Sequence, residues 1–386
     1  MQRVPVVSQS GKPLMPTKPS KARKLVRDGK AICKWDKLNQ YYIQLTFTPL
    51  GEETQPISCG IDPGKHYGSL GIQSSKFTLF TSHIFLPFET VKKRMEQRGM
   101  MRRNRRGRRI NRKLPFVQRA HRQCRFSNRK QGKLPPSIRA NCQLLLRVVT
   151  ELSKIYPINS IVYEYCKADV DLTSGRKKAK SGKGFSPVMV GQAWLLKQLA
   201  KLAPIIKKLG WQTSNLRKHL GLEKQKHSKG DITPATHAVD AVTLASFAFT
   251  DYLPFENSGG RGHCWQGKVA ITDAPFFVIR RPPISRRQLH LMVFAKGGVR
   301  RKYGGTVTGQ GLRKGDLVVA ERKGIEYVGW CSGDTKTQVS VSDSNWKRLG
   351  QFSKNKTRLI KRSTGLICKQ LHGGRRFLPT LIASAI

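Results

Sequence analysis

Acidic residues are what this chain has least of: 22 Asp and Glu stand against 73 Lys and Arg among 386 residues, for a net charge of +51. Self-repulsion on that scale suits a chain bound to a polyanion, and nucleic acid is the first candidate. The chain also lacks any run of 18 or more apolar residues and any signal-peptide pattern at its start. That predicts a soluble, cytoplasmic protein with no membrane partner. Its eight cysteines, at 33, 59, 124, 142, 166, 264, 331 and 368, form no C-x-x-C pair, and none has a histidine at zinc-finger spacing. Reduced thiols are therefore expected, and a structural zinc is not. Hydrophobic residues still make up 38%, enough for packed cores between the basic segments and too many for a disordered tail.

The densest basic stretch is RMEQRGMMRRNRRGRRINR, where nine of nineteen residues are arginine: 94, 98, 102, 103, 105, 106, 108, 109 and 112. No β-branched residue occurs in it before Ile110, and Arg and Met are good helix formers. A helix weakened at Gly99 and Gly107 is expected, with its arginines on phosphates.

Around this run the chain divides by pattern. Residues 1–55 read as a small α+β unit, with a short strand, a Gly-Lys-Pro turn, a basic helix ended by Gly29 and the strand YYIQLTF. Residues 56–85 read as three strands in an antiparallel meander. The arginine helix takes 86–114. A Pro-started helix over 134–156 and a buried strand around IVYEY fall within 115–173. Next, 174–256 begins with the basic linker GRKKAKSGKG. It continues with one amphipathic helix, GQAWLLKQLAKLAPIIKKLGW, ended by Gly210. A final helix is N-capped by Thr233, has Pro234 in its first turn and runs to about Tyr252. From 257 to 386 short apolar segments (KVAIT, FFVIR, LHLMVF, DLVVAE, IEYVGW, TQVSVS) alternate with Gly, Pro and Asp turns. These suggest a small β-barrel or sandwich module.

In so acid-poor a chain the place of each carboxylate is informative. Three lie inside strongly apolar elements: Asp62 in CGIDPG, Glu164 in IVYEY and Asp240 in HAVDAVTLA. A buried carboxylate is costly unless it is paired or holds a metal. Salt bridges to the abundant arginines would explain any one of the three. Three of them in the order strand, strand, helix point to convergence, and His237 sits at i, i+3 from Asp240 on the same helix. Three carboxylates and an imidazole in a nucleic-acid-binding protein suit Mg²⁺ or Mn²⁺, two ions of which would cleave a phosphodiester.

These residues resemble a known group. CGIDPGKHYGSLGI, IVYEY and HAVDA are similar to the three split motifs of a RuvC nuclease domain, an RNase H-like fold. The arginine run lies where related RNA-guided nucleases carry a bridge helix. GKPLMPTKPSKARKLVRDGKA resembles their N-terminal PLMP domain, through Pro13, Leu14, Met15 and Pro16. Together these identify the IscB/IsrB group of insertion-sequence transposons, relatives of the type II CRISPR effector. The 76 positions from Glu164 to Asp240 hold no Cys pair and no HNH pattern, which favours the HNH-lacking IsrB branch. The resemblance implies an α/β multidomain protein. Its parts would be a split RuvC core, the bridge helix, the PLMP domain and a C-terminal module reading a target-adjacent motif.

The resemblance also implies Asp62, Glu164, His237 and Asp240 as catalytic and metal-holding residues with two Mg²⁺ or Mn²⁺ ions. The expected partners are a guide omega RNA and double-stranded target DNA. The expected assembly is a monomeric ribonucleoprotein, on the nucleoid when bound to DNA, that nicks the displaced strand. In the C-terminal module Trp330 and Arg300 are candidate contacts. A guide-free junction resolvase or transposase-like nuclease is the rival reading. It shares the carboxylates without accounting for the PLMP segment or the arginine helix. A non-enzymatic ribonucleoprotein component is a further rival.

Overall fold

The fold is that of a computed structural model, which describes residues 2–107, 111, 113–118, 134–167, 187–225, 231–257, 260–284, 289–292, 300–303 and 306–371. Side chains at 101–107, and in the 289–292 and 300–303 hairpin, are not described. The N-terminal unit pairs β1 (Val4–Val7), β2 (Pro13–Thr17), β3 (Ala31–Trp35) and β4 (Tyr41–Leu45) in the order β2-β1-β4-β3, with α1 (Pro19–Arg27) between β2 and β3. Pro13–Pro16, which carries the PLMP resemblance, therefore lies wholly within β2. Gly29, at φ +69, lies two residues beyond the last helical residue, in a backbone region that favours glycine.

A seven-stranded sheet forms the centre. β5 (Ile57–Asp62), β6 (Tyr67–Ser74) and β7 (Thr78–Phe85) make the expected antiparallel meander. The chain then runs through α2 (Phe88–Gly107) and α3 (Pro136–Leu152) to β8 (Ser160–Glu164), which lies parallel to β5. α4 (Pro187–Leu199) leads to β9 (Ile205–Lys208), parallel to β8. This mixed α/β arrangement is consistent with the RNase H-like core that the motifs suggest.

Alternation along the strands sorts the two faces of this sheet. Ile57, Cys59 and Ile61 of β5, with Ile161 and Tyr163 of β8, enter the main core with Leu144, Leu145 and Val148 of α3 and Leu195 and Leu199 of α4. The intervening residues, including Gly60, Asp62, Val162 and Glu164, face the other way. On that side α5 (Gly210–His219) and α6 (Val239–Ser246) pack, and Val162 shares a cluster with Leu216 and Leu244.

Several expectations need correction. The stretch from Gly191 to Trp211 is not one helix: α4 ends at Leu199, 205–208 is a strand, and Gly210 begins α5 instead of ending a helix. Pro204 explains the break, because it disfavours helical backbone at Ala203 and has no N–H to donate. Its carbonyl accepts from the Ile161 amide at 2.8 Å and starts the β8–β9 ladder. The helix after Thr233 opens with a π-helical turn over Pro234–Ala238, continues as α6 and stops at Ser246, so Tyr252 is not helical. β10 (Thr250–Asn257) pairs instead with β11 (Gly260–Gly267), and Pro254 inside that strand could not have sat in a helix interior. The Thr233 side chain makes no cap bond.

The C-terminal stretch is not one separate module either. KVAIT forms no strand. FFVIR is β12 (Phe276–Arg280), which pairs in parallel with β7, and β20 (Ile367–Leu371) pairs with β12. Both complete the central sheet, whose order is β20-β12-β7-β6-β5-β8-β9. Between them lie the hairpin β13 (Leu289–Met292) with β14 (Arg300–Tyr303), where Arg300 begins the second strand, and a five-stranded antiparallel sheet. That sheet runs β18-β17-β16-β15-β19, from β15 (Leu317–Arg322), β16 (Ile325–Asp334), β17 (Gln338–Ser342), β18 (Arg348–Ser353) and β19 (Thr357–Lys361). Its core is Val318, Ala320, Cys331, Val339, Val341 and Phe352. Among the described residues no helix is long and apolar enough to cross a membrane. The linker GRKKAKSGKG lies outside the described residues.

Candidate functional site

Asp62 and Glu164 are the last residues of two adjacent parallel strands, and the ladder pairs Ile61 with Tyr163 just before them. Parallel register therefore sets the two carboxylates side by side at one edge of the sheet, on the face opposite the main core. Two further devices bring the other residues to them.

The first is a notch of glycines. Gly60 and Gly71 are cross-strand partners on β5 and β6. A Cβ on Gly60 would lie 1.9 Å from the Ala241 carbonyl oxygen, and one on Gly71 would lie 2.9 Å from the Ala241 carbonyl carbon. α6 thus rests on the sheet at backbone contact, which no larger residue at 60 or 71 would allow. That contact carries Asp240 to the Asp62–Glu164 edge. The second is the π-helical turn, held by the Ser69 hydroxyl donating to the His237 carbonyl at 2.6 Å. It sets His237 Nδ1 3.4 Å from Asp62 Oδ2. A third glycine, Gly210, admits Glu164: a Cβ there would come within 2.8 Å of Glu164 Oε1.

The four residues singled out in the sequence are therefore brought together, and their electrostatics couple. Burial pushes Glu164 up to about 8, helped by the charges of Asp62 and Asp240 and by a side-chain hydrogen bond shared with Asp62. Burial and Asp62 also push Asp240 up, while Lys224 and Arg217 oppose them. Asp240 is only 3% exposed. Its Oδ1 accepts from Arg217 Nη1 at 2.6 Å and its Oδ2 from Lys224 Nζ. Among the described residues no three His, Cys, Asp or Glu side chains lie close enough together to hold a metal ion as they stand.

Arg217 and Lys224 escaped the sequence reading, since nothing local marks them out among 73 basic residues. Gly60 is read in the sequence only as part of the apolar element that carries Asp62, and Gly210 only as a helix end. The one legible signal was their spacing: Gly60 stands two residues before Asp62, on the same strand face. His83 was missed too. It is fully buried on β7, its ring centroid is 5.5 Å from that of His237, and neither ring nitrogen has a hydrogen-bond partner. Burial holds it down at about 4, reinforced by His237 and Arg280.

The arginine run is less fully placed. Arg94 and Arg98 lie half-buried on α2, and Arg94 Nη2 donates to the Pro283 carbonyl at 3.1 Å. Arg102, Arg103, Arg105 and Arg106 belong to the helical backbone of α2, and their side chains are not described. Arg108, Arg109 and Arg112 lie outside the described residues.

Residues 4–184 match the family model described as RRXRR protein. The match takes in β1 to β8, with Asp62 and Glu164, and ends before His237 and Asp240. No curated protein matches the chain. Among solved structures it is similar to T. thermophilus RuvC in complex with Holliday junction substrate, at 12% identity and a TM-score of 0.26, covering 50% of this chain and 90% of that one. It is also similar to a Thermus thermophilus RuvC structure, at 11% identity and a TM-score of 0.26, covering 49% and 90%. At that TM-score neither likeness bears on what this chain does.

Proposed function

We propose that this chain is a metal-dependent DNA endonuclease, guided by an omega RNA, that nicks the displaced strand of its target beside a short target-adjacent motif. The observation that carries the nuclease reading is the meeting of Asp62, Glu164, Asp240 and His237 at one sheet edge, with Glu164 raised by burial and, after it, by the negative charge of Asp62 and Asp240. Such a cluster is incomplete without a cation. Its carboxylate oxygens are hard donors that fit Mg²⁺ or Mn²⁺, and the imidazole is a borderline donor that suits Mn²⁺ better than Mg²⁺; Lys224 and Arg217 at Asp240 mark where positive charge is already demanded.

Asp62, Glu164, Asp240 and His237 would hold two ions. When bound, these would supply electrophilic stabilisation of the phosphoryl oxygens and a more acidic attacking water. The chain's own contribution is order. The glycine notch fixes Asp240 against the strands, and Asp62, 3.4 Å from His237 Nδ1, orients that ring. The protein's large positive charge would steer a phosphodiester strand toward it, the repulsion between that strand and the acidic edge being offset by the cations.

The RNA-guided part of the reading is supported by the family match over 4–184, the PLMP and arginine-helix resemblance, and the net charge. The nine arginines of the run would grip guide or heteroduplex phosphates. With no HNH nuclease between Glu164 and Asp240, one site cuts one strand. The test is a supercoiled plasmid carrying a sequence matched to the RNA that copurifies. Open-circle product with only the displaced strand cut supports the whole reading. Cleavage of branched DNA by RNA-free protein would favour the junction-resolving alternative, and a linear product would end the nickase reading.

A further inference from the structure

A second site lies away from the acidic cluster. A cavity of about 360 Å³ opens between the N-terminal sheet and the five-stranded C-terminal sheet. One wall carries Trp35 and Tyr41, cross-strand partners on β3 and β4 whose rings meet edge to face at 5.4 Å. The other is a row across three strands: Trp330 on β16 pairs with Leu317 on β15, which pairs with Lys361 on β19. Lys369 stands exposed on β20 at the rim. The walls are tied together, Lys361 Nζ donating to the Asp36 carbonyl at 3.3 Å and Thr364 Oγ1 to the Lys37 carbonyl at 3.4 Å.

Composition says what such a cavity takes. Trp35 is 58% exposed, and two more aromatic side chains, Tyr41 and Trp330, share its cavity. Lys37, Lys361, Arg362 and Lys369 line the same space, and no Asp or Glu does. Lys37 and Arg362 have acidic partners elsewhere, in Glu151 and Asp316, whereas Lys361 and Lys369 make no ion pair among the described residues. Flat rings beside Lys369 and Lys361, the latter tied to the Asp36 carbonyl through one of its three N–H donors, fit a base stacked on an aromatic face with its phosphate on lysine. The volume is at the small end of ligand sites and suits a single nucleotide.

We infer that this cavity is a binding site for one unpaired nucleotide of a single strand, stacked on Trp35 and Trp330 with its phosphate on Lys361 and Lys369. The inference does not rest on the nuclease reading, because it concerns binding alone and is tested in chelator.

The full chain is mixed with a short oligouridine or a short oligothymidine carrying a photoreactive base, at salt high enough to screen surface phosphate contacts. Crosslinked residues are located by mass spectrometry. Crosslinks at Trp35, Tyr41 or Trp330 support the site; appearance with RNA alone, DNA alone or both assigns its source. Trp35→Ala should weaken oligonucleotide binding about tenfold, while Trp35→Phe retains most of it. Lys369→Glu, on an exposed rim position, should weaken binding without touching an aromatic ring and covers the case of a misfolded Trp35 variant. Binding of a duplex of the same length should not change. Crosslinks found only elsewhere, or unaltered affinity in Trp35→Ala and Lys369→Glu alike, would overturn the inference.

Discussion

Asp316 in the C-terminal sheet and Glu164 in the central sheet are both acids withdrawn from water in a chain of +51 net charge, but their surroundings differ. Asp316 is 0% exposed. Its Oδ2 accepts from the Arg313 amide at 2.9 Å and from Arg362 Nη1 at 2.8 Å, and its Oδ1 accepts from the Ser363 amide at 2.8 Å. Every need of that carboxylate is met by the fold, which it uses to pin the end of β19 to the start of β15. Glu164 has Asp62 and Asp240 for company, and the one opposing influence on it is the charge of Lys224. A buried acid supplied with donors is architecture. One set among other acids is waiting for charge that the fold withholds.

The largest effect that could break this contrast is on opposite properties of the two sites. Asp62→Asn and Glu164→Gln should abolish nicking and leave thermal stability equal or higher, because Asp62→Asn removes a carboxylate from among other acids and Glu164→Gln removes a carboxyl whose ionisation burial and its acidic neighbours oppose. Asp316→Ala should do the reverse. It leaves the Arg313 and Ser363 amides short of an acceptor, so stability should fall by about 3 kcal/mol while the cleavage site itself stays intact. Paired melting curves and plasmid assays check both. A Glu164→Gln protein that melts well below the parent would place Glu164 with Asp316 among the structural acids.

Next in size is the pH dependence of the metal-free protein. Glu164 is raised from its ordinary value to about 8, so between roughly pH 4.5 and 8 the folded state binds a proton that the unfolded state has lost. Stability therefore falls as pH rises through that window, by a few kcal/mol. Melting in chelator should show the decline, and Glu164→Gln should flatten it. Saturating Mg²⁺ or Mn²⁺ should then raise the parent's stability by about 2.7 kcal/mol when the ion is a hundredfold above its Kd, and should do little for Glu164→Gln. An equal gain in both proteins would place the cation elsewhere.

The contrast between these acids was half legible in the sequence. Apolar flanks exposed Asp62, Glu164 and Asp240, because a carboxylate inside IVYEY or HAVDAVTLA has no cheap local explanation. Asp316 lies in RKGDLVV, where the preceding Gly-Asp reads as a turn, and the donors that bury it come from 46 or 47 positions further on as well as from nearby. No window of sequence shows that distance. The same limit hid β9 and β12. IIKK continues a helical pattern and FFVIR reads as any short strand, and only parallel partners far away in the chain decide that each belongs to the central sheet. The meander over 57–85 was legible because its strands pair with their immediate neighbours. Nothing in the sequence around Gly60 and Gly71 shows that the Ala241 backbone lies against them.

The smallest effect sharpens the comparison most, since it concerns the cations that stand in at the acidic site. Lys224 and Arg217 both bond Asp240, but Lys224 is the more exposed of the two, at 28% against 12% for the side chain. A cation arriving at the cluster must compete with them for the Asp240 oxygens. Removing Lys224 leaves Oδ2 open and takes one positive charge from the neighbourhood. Lys224→Ala should therefore bind Mn²⁺ several-fold more tightly, while the metal-free protein loses about 1 kcal/mol of stability, because Asp240 keeps Arg217. Lys224→Arg should leave both quantities near those of the parent. Calorimetric titration with Mn²⁺ and melting in chelator read the two separately. Tighter metal binding with a slightly less stable metal-free state means that Lys224 is a stand-in for the ion. Weaker metal binding in Lys224→Ala would mean that the lysine helps to build the site, and Asp240 would then belong with Asp316 as an acid whose partner the fold itself provides.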